Sequence, residues 1–306
     1  MHSSEKKDAS TDLERLTKVT AIGGGHGLGR VLASLRFLER RLVGIVATTD
    51  NGGASGLLRR SQKTIAWGDI RNCLSQLVDQ PLAADVLNYR FTDDPQLEGH
   101  NFGNLLLHTL NQISARPLDG IQLLSRLLNV NTRLLPMSET PVDLVADTHE
   151  GLECFGELLV DQLHHMPSHL RLSNRVSATP EALRHLRRSE LIIIGPGSFL
   201  TSIMPPLLVD GIVEAIETSP APVIFIDNLL PEHSPAGELC LSERLKWFER
   251  ALGRQIIDLV ITNHADSALS LPHINSIQAD STAPQRHDQV SLQQALNRAL
   301  KILTTA

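Results

Sequence analysis

Lys18-Val19-Thr20-Ala21-Ile22-Gly23-Gly24-Gly25-His26-Gly27-Leu28-Gly29 is the stretch from which the fold class follows. The run Lys18 to Ile22 reads as a short strand; glycines follow it without interruption, and Leu28, Val31, Leu32, Leu35 and Leu38 then recur at helical spacing. The same device returns downstream. Leu42 to Thr49 is a second strand rich in β-branched residues, ending in Asp50-Asn51-Gly52-Gly53-Ala54-Ser55-Gly56. Leu191 to Ile194 (LIII) has the continuous apolar character of a strand buried on both faces, and it runs into Gly195-Pro196-Gly197-Ser198. Val223 to Ile226 ends in Asp227-Asn228, and Ile256 to Thr262 in Asn263-His264. Strands that alternate with helices and end in polar or glycine-rich loops predict an α/β fold. It is a Rossmann-like, mostly parallel, doubly wound sheet with ligand-binding loops at the carboxyl ends of its strands.

Between these strands the pattern changes. Helical spacing dominates from Ile70 to Val130, including Asn104 to Ile113 and a Pro117-started helix, and predicts an inserted helical segment. Arg133 to Met137, Val142 to Asp147 and Leu152 to Val160 read as extended, the last two joined by a hairpin turn at Thr148-His149-Glu150-Gly151. With no fixed-period repeat and no low-complexity linker, residues 17–306 are expected to form a single domain with an inserted helical and β-hairpin subregion. Residues 1–16, without period, are expected to be a flexible tail.

Composition narrows the function classes. Of 306 residues 42% are hydrophobic and 20% charged, a balance that supports a packed core and excludes a largely disordered chain. The longest apolar runs fall far short of the ~20 residues of a membrane-spanning helix, and the polar start lacks the apolar run of a secretory signal, so a cytoplasmic protein is expected. Twenty-eight basic against 34 acidic residues give a net charge of -6, which argues against nucleic acid as a partner. Cys73, Cys154 and Cys240 are widely spaced and are expected to be small buried side chains rather than a disulfide framework or zinc site.

The loops carry the chemistry. Neither the G-x-G-x-x-G fingerprint nor Walker A fits the first: Leu28 and Arg30 occupy the positions of the closing glycine, and Arg30-Val31 those of the phosphate-binding Lys and the Ser/Thr. What remains is physical: Gly23, Gly24, Gly25, His26 and Gly27 let a ligand approach the backbone closely, at a helix start whose amides favour phosphate. Asp50, at a strand end beside Asn51, Gly52, Gly53 and Ser55, is expected to face substrate as a base or to hold a divalent cation. Asp69 is placed at a helix N-cap with Arg71 and Asn72 in the first turn, and His100, Asn101 and Asn104 open another helix. Gly195, Pro196, Gly197 and Ser198, with Thr201 and Ser202, read as an anion cradle, and Asn228 closes the set. His164, His165 and His169 are expected in a solvated loop, because no nearby acid completes a metal site.

Taken in order, these five motifs, from Ile22-Gly23-Gly24-Gly25 to Thr201-Ser202, resemble the bacterial gluconeogenesis factors. That family is related to the 2-phospho-L-lactate transferases of deazaflavin cofactor synthesis, in the CofD-like superfamily. The likeness spans about Val19 to Asn228. It implies a Rossmann-like core that binds a nucleotide or nucleotide-sugar. In the transferase branch a phospholactyl group moves from a guanosine diphosphate adduct to a deazaflavin alcohol with magnesium. In the gluconeogenesis-factor branch, members are cytosolic UDP-sugar binders needed for normal cell shape on gluconeogenic carbon. The Asp50-Asn51-Gly52-Gly53 and Gly68-Asp69-Ile70-Arg71-Asn72 segments lie nearer the second branch. Asn51 stands where many relatives have a second Asp, so a two-acid magnesium site is not expected, and Asp50 is the one candidate for metal or catalysis. A homo-oligomer is left open.

Overall fold

The computed structural model describes residues 11–264, 266 and 268–305. In chain order the strands are β1 (Val19–Gly23), β2 (Leu42–Val46), β3 (Arg133–Pro136), β4 (Leu144–Asp147), β5 (Glu153–Phe155), β6 (His169–Leu172), β7 (Leu191–Ile194), β8 (Val223–Ile226), β9 (Leu259–Ile261), β10 (His273–Ile274), β11 (Ala279–Asp280) and β12 (Ala283–His287). The helices are α1 (Asp12–Arg15), α2 (Gly25–Ser34), α3 (Gly53–Ser61), α4 (Gly68–Leu77), α5 (Pro81–Asn88), α6 (Phe102–Ile113), α7 (Pro117–Leu127), α8 (Glu157–Asp161), α9 (Pro180–Leu186), α10 (Met204–Leu207), α11 (Ile212–Glu217), α12 (Leu241–Leu252) and α13 (Gln289–Thr305).

Seven strands form one sheet in the order β10-β9-β8-β7-β1-β2-β3, every neighbouring pair parallel. Apolar residues alternate between its faces, as the two-residue period of a strand requires. Leu191 and Ile193 join one hydrophobic cluster with Leu28, Ile70, Leu74 and Leu296, whereas Ile192 and Ile194 join another with Leu186, Ile212, Leu245 and Phe248. Helices therefore cover both faces, and the sheet is doubly wound as expected. The chain runs outward from β1 through β2 to β3, then returns to lay β7 on the other side of β1. That reversal opens a crevice between the carboxyl ends of β1 and β7, the usual ligand position in such sheets.

The inserted helical segment is present as α4 to α7, and β4 pairs antiparallel with both β5 and β6. Several local expectations are corrected. Leu152 to Val160 is not one strand: Gly156, at φ 91, ends β5, and Glu157 to Asp161 turn into α8. Of the expected tail, residues 1–10 lie outside the described residues. Thr11 caps α1 with a reciprocal bond to Glu14, Leu13 is buried against the body of the protein with Leu16 beside it, and Arg41 donates to the Glu14 and Leu16 carbonyls, so the stretch from Thr11 is held to the fold. Asp69 lies inside the first turn of α4, whose N-cap position belongs to Trp67. Cys73 is buried, but Cys154 is only half-buried, and Cys240 is exposed at the start of α12, where its small side chain takes the capping position. His164 and His165 are exposed between elements as expected, while the exposed His169 opens β6. Among the described residues no helix is long and apolar enough to cross a membrane.

The end of β8 is fixed by a buried ion pair. Arg244 of α12 donates Nη1 to Asp227 Oδ1 at 2.7 Å and Nη2 to Oδ2 at 3.2 Å, and the Asp227 side chain is 1% exposed. Removing one partner of such a pair leaves a charge in the interior, at a cost of about 3–5 kcal/mol. Arg244→Ala is accordingly expected to lower the urea midpoint at neutral pH by a loss of that size, and an unchanged midpoint would show that the pair contributes nothing.

Candidate functional site

Two backbone loops face each other across the crevice. α2 starts at Gly25 after Gly24, which has no side chain to cap it. The Gly25 amide donates to the Asp69 carboxylate, and the next two amides, of His26 and Gly27, have no acceptor among the described residues. Gly27 presses against the opposite loop so closely that a Cβ there would sit 2.2 Å from the Pro196 carbonyl oxygen. Gly195 has φ +80, a left-handed conformation that glycine adopts without strain.

A cavity of about 500 Å³ lies between the loops. It brings together Gly24, Gly25, His26 and Gly27 with Asp69 and Asn72 from α4, and with Pro196, Gly197, Ser198, Ser202 and Asn228 from the far side. In the second loop several donors are met within the chain. The Gly197 amide donates to Asn228 Oδ1 at 3.0 Å, and the Phe199 amide to Glu232 Oε2 at 3.0 Å. The hydroxyls of Ser198 and Thr201 both donate to Asp161. The chain's own side chains, of Asn228, Glu232 and Asp161, thus occupy these donors of the second loop, whereas the His26 and Gly27 amides of α2 face the cavity without an acceptor among the described residues.

The remaining expected residues form a polar floor beside the cavity. Gly23 closes β1 and accepts the Ala47 amide through its carbonyl at 2.8 Å. Asp50 Oδ1 accepts the Gly52 amide at 2.8 Å, an Asx turn that leads through Gly53 into α3. Asp50 Oδ2 and Ser55 Oγ both press against Gly68, where a Cβ would lie 2.7 Å and 2.5 Å from them. Asn104 Nδ2 reaches Ser55 Oγ at 3.4 Å, and Asn101 caps α6 by accepting the Asn104 amide. Arg71 donates to Asn88 Oδ1. His100 is half-buried with its Nδ1 unpartnered, and the buried Asn72 and Asn104 each keep an unpartnered Oδ1. Asn51 turns away: its Oδ1 accepts the Leu158 amide at 3.1 Å and so caps α8. Asn51 and Gly53 line a separate shallow cleft with Arg59, Arg90 and Leu158.

Sequence reasoning missed the other wall. Arg30, Glu232, Gln285, Arg286 and His287 also line the cavity. Arg30 is held by Asp280 and by the His287 carbonyl, and His287 Nε2 meets the Asp227 carbonyl at 3.0 Å, so the β11–β12 hairpin is strapped to the sheet end. Arg286 has no partner among the described residues. Glu157, Asp161 and Glu232 were missed as well; the four-residue spacing of the first two on one short helix was the only available signal.

Burial and Asp50 push the Asp69 carboxyl up to about 7, against which the Gly25 amide, Arg71 and Asn72 act. Burial, Asp50 and Asp69 raise Glu157 well above the usual range. Burial, Arg71 and Arg286 lower His26, which keeps its ring neutral. Among the described residues no three His, Cys, Asp or Glu side chains converge to hold a metal ion.

Residues 19–304 match the profile described as 2-phospho-L-lactate transferase CofD. The chain belongs to this CofD family. A Yersinia pestis protein named "Putative gluconeogenesis factor" is 48% identical over 300 residues, covering 96% of this chain and 97% of its own. Another of the same name from Pasteurella multocida is 45% identical over 294 residues, covering 94% and 95%. A crystal structure of a UPF0052 family member from Bacillus halodurans superposes with a TM-score of 0.82 at 28% identity, covering 91% of this chain and 99% of that one. The CofD family and the Rossmann-like fold expected from the loops are thus both shown.

A carboxyl held near 7 in the fold and near 3.8 in the unfolded chain keeps its proton in the native state alone between those values. Native stability from this group therefore falls as pH rises from about 4 to about 7. Asp69→Asn is expected to be equal to the native protein in stability near pH 4 and more stable at pH 8, by ~1–3 kcal/mol. Urea denaturation at the two pH values checks this, and a difference independent of pH would refute it.

Proposed function

We propose that this CofD-family chain binds a nucleoside diphosphate ligand, a UDP-sugar, in the crevice between β1 and β7. On this reading it acts in the cytosol as a gluconeogenesis factor that supports normal cell shape during growth on gluconeogenic carbon. One observation carries the binding reading. The unsatisfied His26 and Gly27 amides open a ten-residue helix on one wall of the cavity, and the unpaired Arg286 stands on the same cavity's rim. A helix start and a guanidinium together suit a diphosphate. The half-satisfied Asn72, His100 and Asn104 would then meet the uncharged polar groups of sugar or base. Because the walls are drawn from Gly24 through His287, residues 17–306 would work as one unit.

The transferase branch supplies a second reading, favoured by the grouping of Asp50, Asp69 and Glu157, in which burial and Asp50 raise Asp69, and burial, Asp50 and Asp69 raise Glu157. Magnesium commonly takes one or two carboxylates and fills its shell with phosphate oxygens and water. Asp50 would be the protein's ligand in that arrangement, and the ion would neutralise charge on the phosphates. Asp50 would alternatively take the proton of an acceptor hydroxyl.

Calorimetric titration with UDP-N-acetylglucosamine and with GDP, each with and without magnesium, separates the two. The binding reading expects magnesium-independent UDP-sugar binding, weakened tenfold or more by Arg286→Ala with no change in melting temperature, whereas Asp50→Asn costs only a few-fold in affinity. Tight GDP binding that requires magnesium, with turnover lost by orders of magnitude in Asp50→Asn, would favour the transferase. No UDP-sugar binding at millimolar concentration would overturn the first reading.

A further inference from the structure

At the opposite end of the sheet, away from the crevice, a second cavity of about 480 Å³ lies against the start of β3. Its charge is one-sided. Arg40, from the turn before β2, Arg126, from the last turn of α7, and Arg133, the first residue of β3, all line it, and no Asp or Glu does. None of the three has a hydrogen-bond or ion-pair partner among the described residues. Acidic residues outnumber basic ones by 34 to 28, and Arg30, Arg36, Arg59, Arg116, Arg171 and Arg244 find carboxylates, whereas here three arginines share one cavity lined by none.

Helix electrostatics accounts for one of these arginines only. α7 ends in a Schellman turn, with Asn129 at φ 55 and the Val130 amide donating to the Ser125 carbonyl at 2.8 Å. The negative end of its dipole suits a single cation, and Arg126 provides it. Arg40 and Arg133 come from other segments and have no such reason to be there. The field of Arg133 is also felt nearby: burial first, then Arg133 and Lys18, lower the neighbouring His185 to about 4.

We propose that this cavity is a second anion site, which takes a phosphorylated small molecule carrying at least two negative charges. Guanidinium groups match the oxygens of a phosphate in paired hydrogen bonds, and three of them line this cavity. Gln122, Asn129 and Asn131 on the same walls offer amides to the hydroxyls of an attached sugar. The volume is that of a small-ligand site and suits a sugar phosphate. The chain's net charge of -6 disfavours a nucleic-acid polymer.

Pyrophosphate is the probe, titrated by calorimetry into protein carrying Arg286→Ala so that the crevice contributes little. Saturable binding is expected, weakened at least tenfold when Arg126→Ala and Arg133→Ala are added, and weakened separately by Arg40→Ala. All three side chains are exposed and bond to nothing within the chain, so the melting temperature should stay constant. Absence of binding to the Arg286→Ala protein, or binding indifferent to the added substitutions, would overturn the proposal. So would tight binding of a single-stranded RNA oligomer without any response to pyrophosphate.

Discussion

Everything at the carboxyl end of this sheet depends on how closely the loop after β1 approaches the loop after β7. The Gly27 backbone lies directly on the Pro196 carbonyl, with no room for a methyl group between them. That contact fixes the width of the crevice. It also aims the start of α2 across the cavity, because the helix is held at Gly25 by Asp69 and at its base by Leu28 in the core. A larger residue at Gly27 would have to push the two loops apart.

The polar groups around the crevice divide by what they satisfy. Asp161, Asn228 and Glu232 bind the second loop and hold it still, while Asp227, paired with Arg244, anchors the end of β8 and receives His287 from the hairpin. Carboxylates directed at donors of their own chain keep those donors from a ligand. The first loop has no comparable internal partners beyond Asp69, and Asp69 is itself disposed to be uncharged near neutrality. The two glycine loops look alike in sequence, yet the Gly197 and Phe199 amides of one are met by side chains of the chain, while the His26 and Gly27 amides of the other meet no acceptor among the described residues.

The sheet was legible because parallel strands buried on both faces need continuous apolar runs, and β1, β2, β7, β8 and β9 have them, each followed by glycine or a polar pair. α8 was not legible. Its start depends on Asn51, which is distant in sequence, and on a turn at Gly156, while its exposed Leu158 and Leu159 imitate a strand. β10 and β11 have two residues each, too few for any period to register. Arg286 and the three arginines at the other end of the sheet belong to no motif. A guanidinium's importance there comes from lacking a partner, which is a property of the folded arrangement and not of local sequence. Asp50 and Asp69 were found by their place after a strand and at a helix start, but the coupling between them required the fold.

The strand order has a consequence for how the chain acquires this shape. β1 is made early, and β2 and β3 can join it on one side, but its other edge waits for β7, which follows the whole helical insertion and the antiparallel trio β4 to β6. Until then an apolar strand edge offers unpaired amides and carbonyls to any passing strand. Closure of long loops is slow, and α/β sheets with distant pairings fold late. The hairpin that completes the crevice comes later still. A nascent or truncated chain could therefore have a nearly finished half-sheet and no crevice, with its central edge the place where it would pair wrongly.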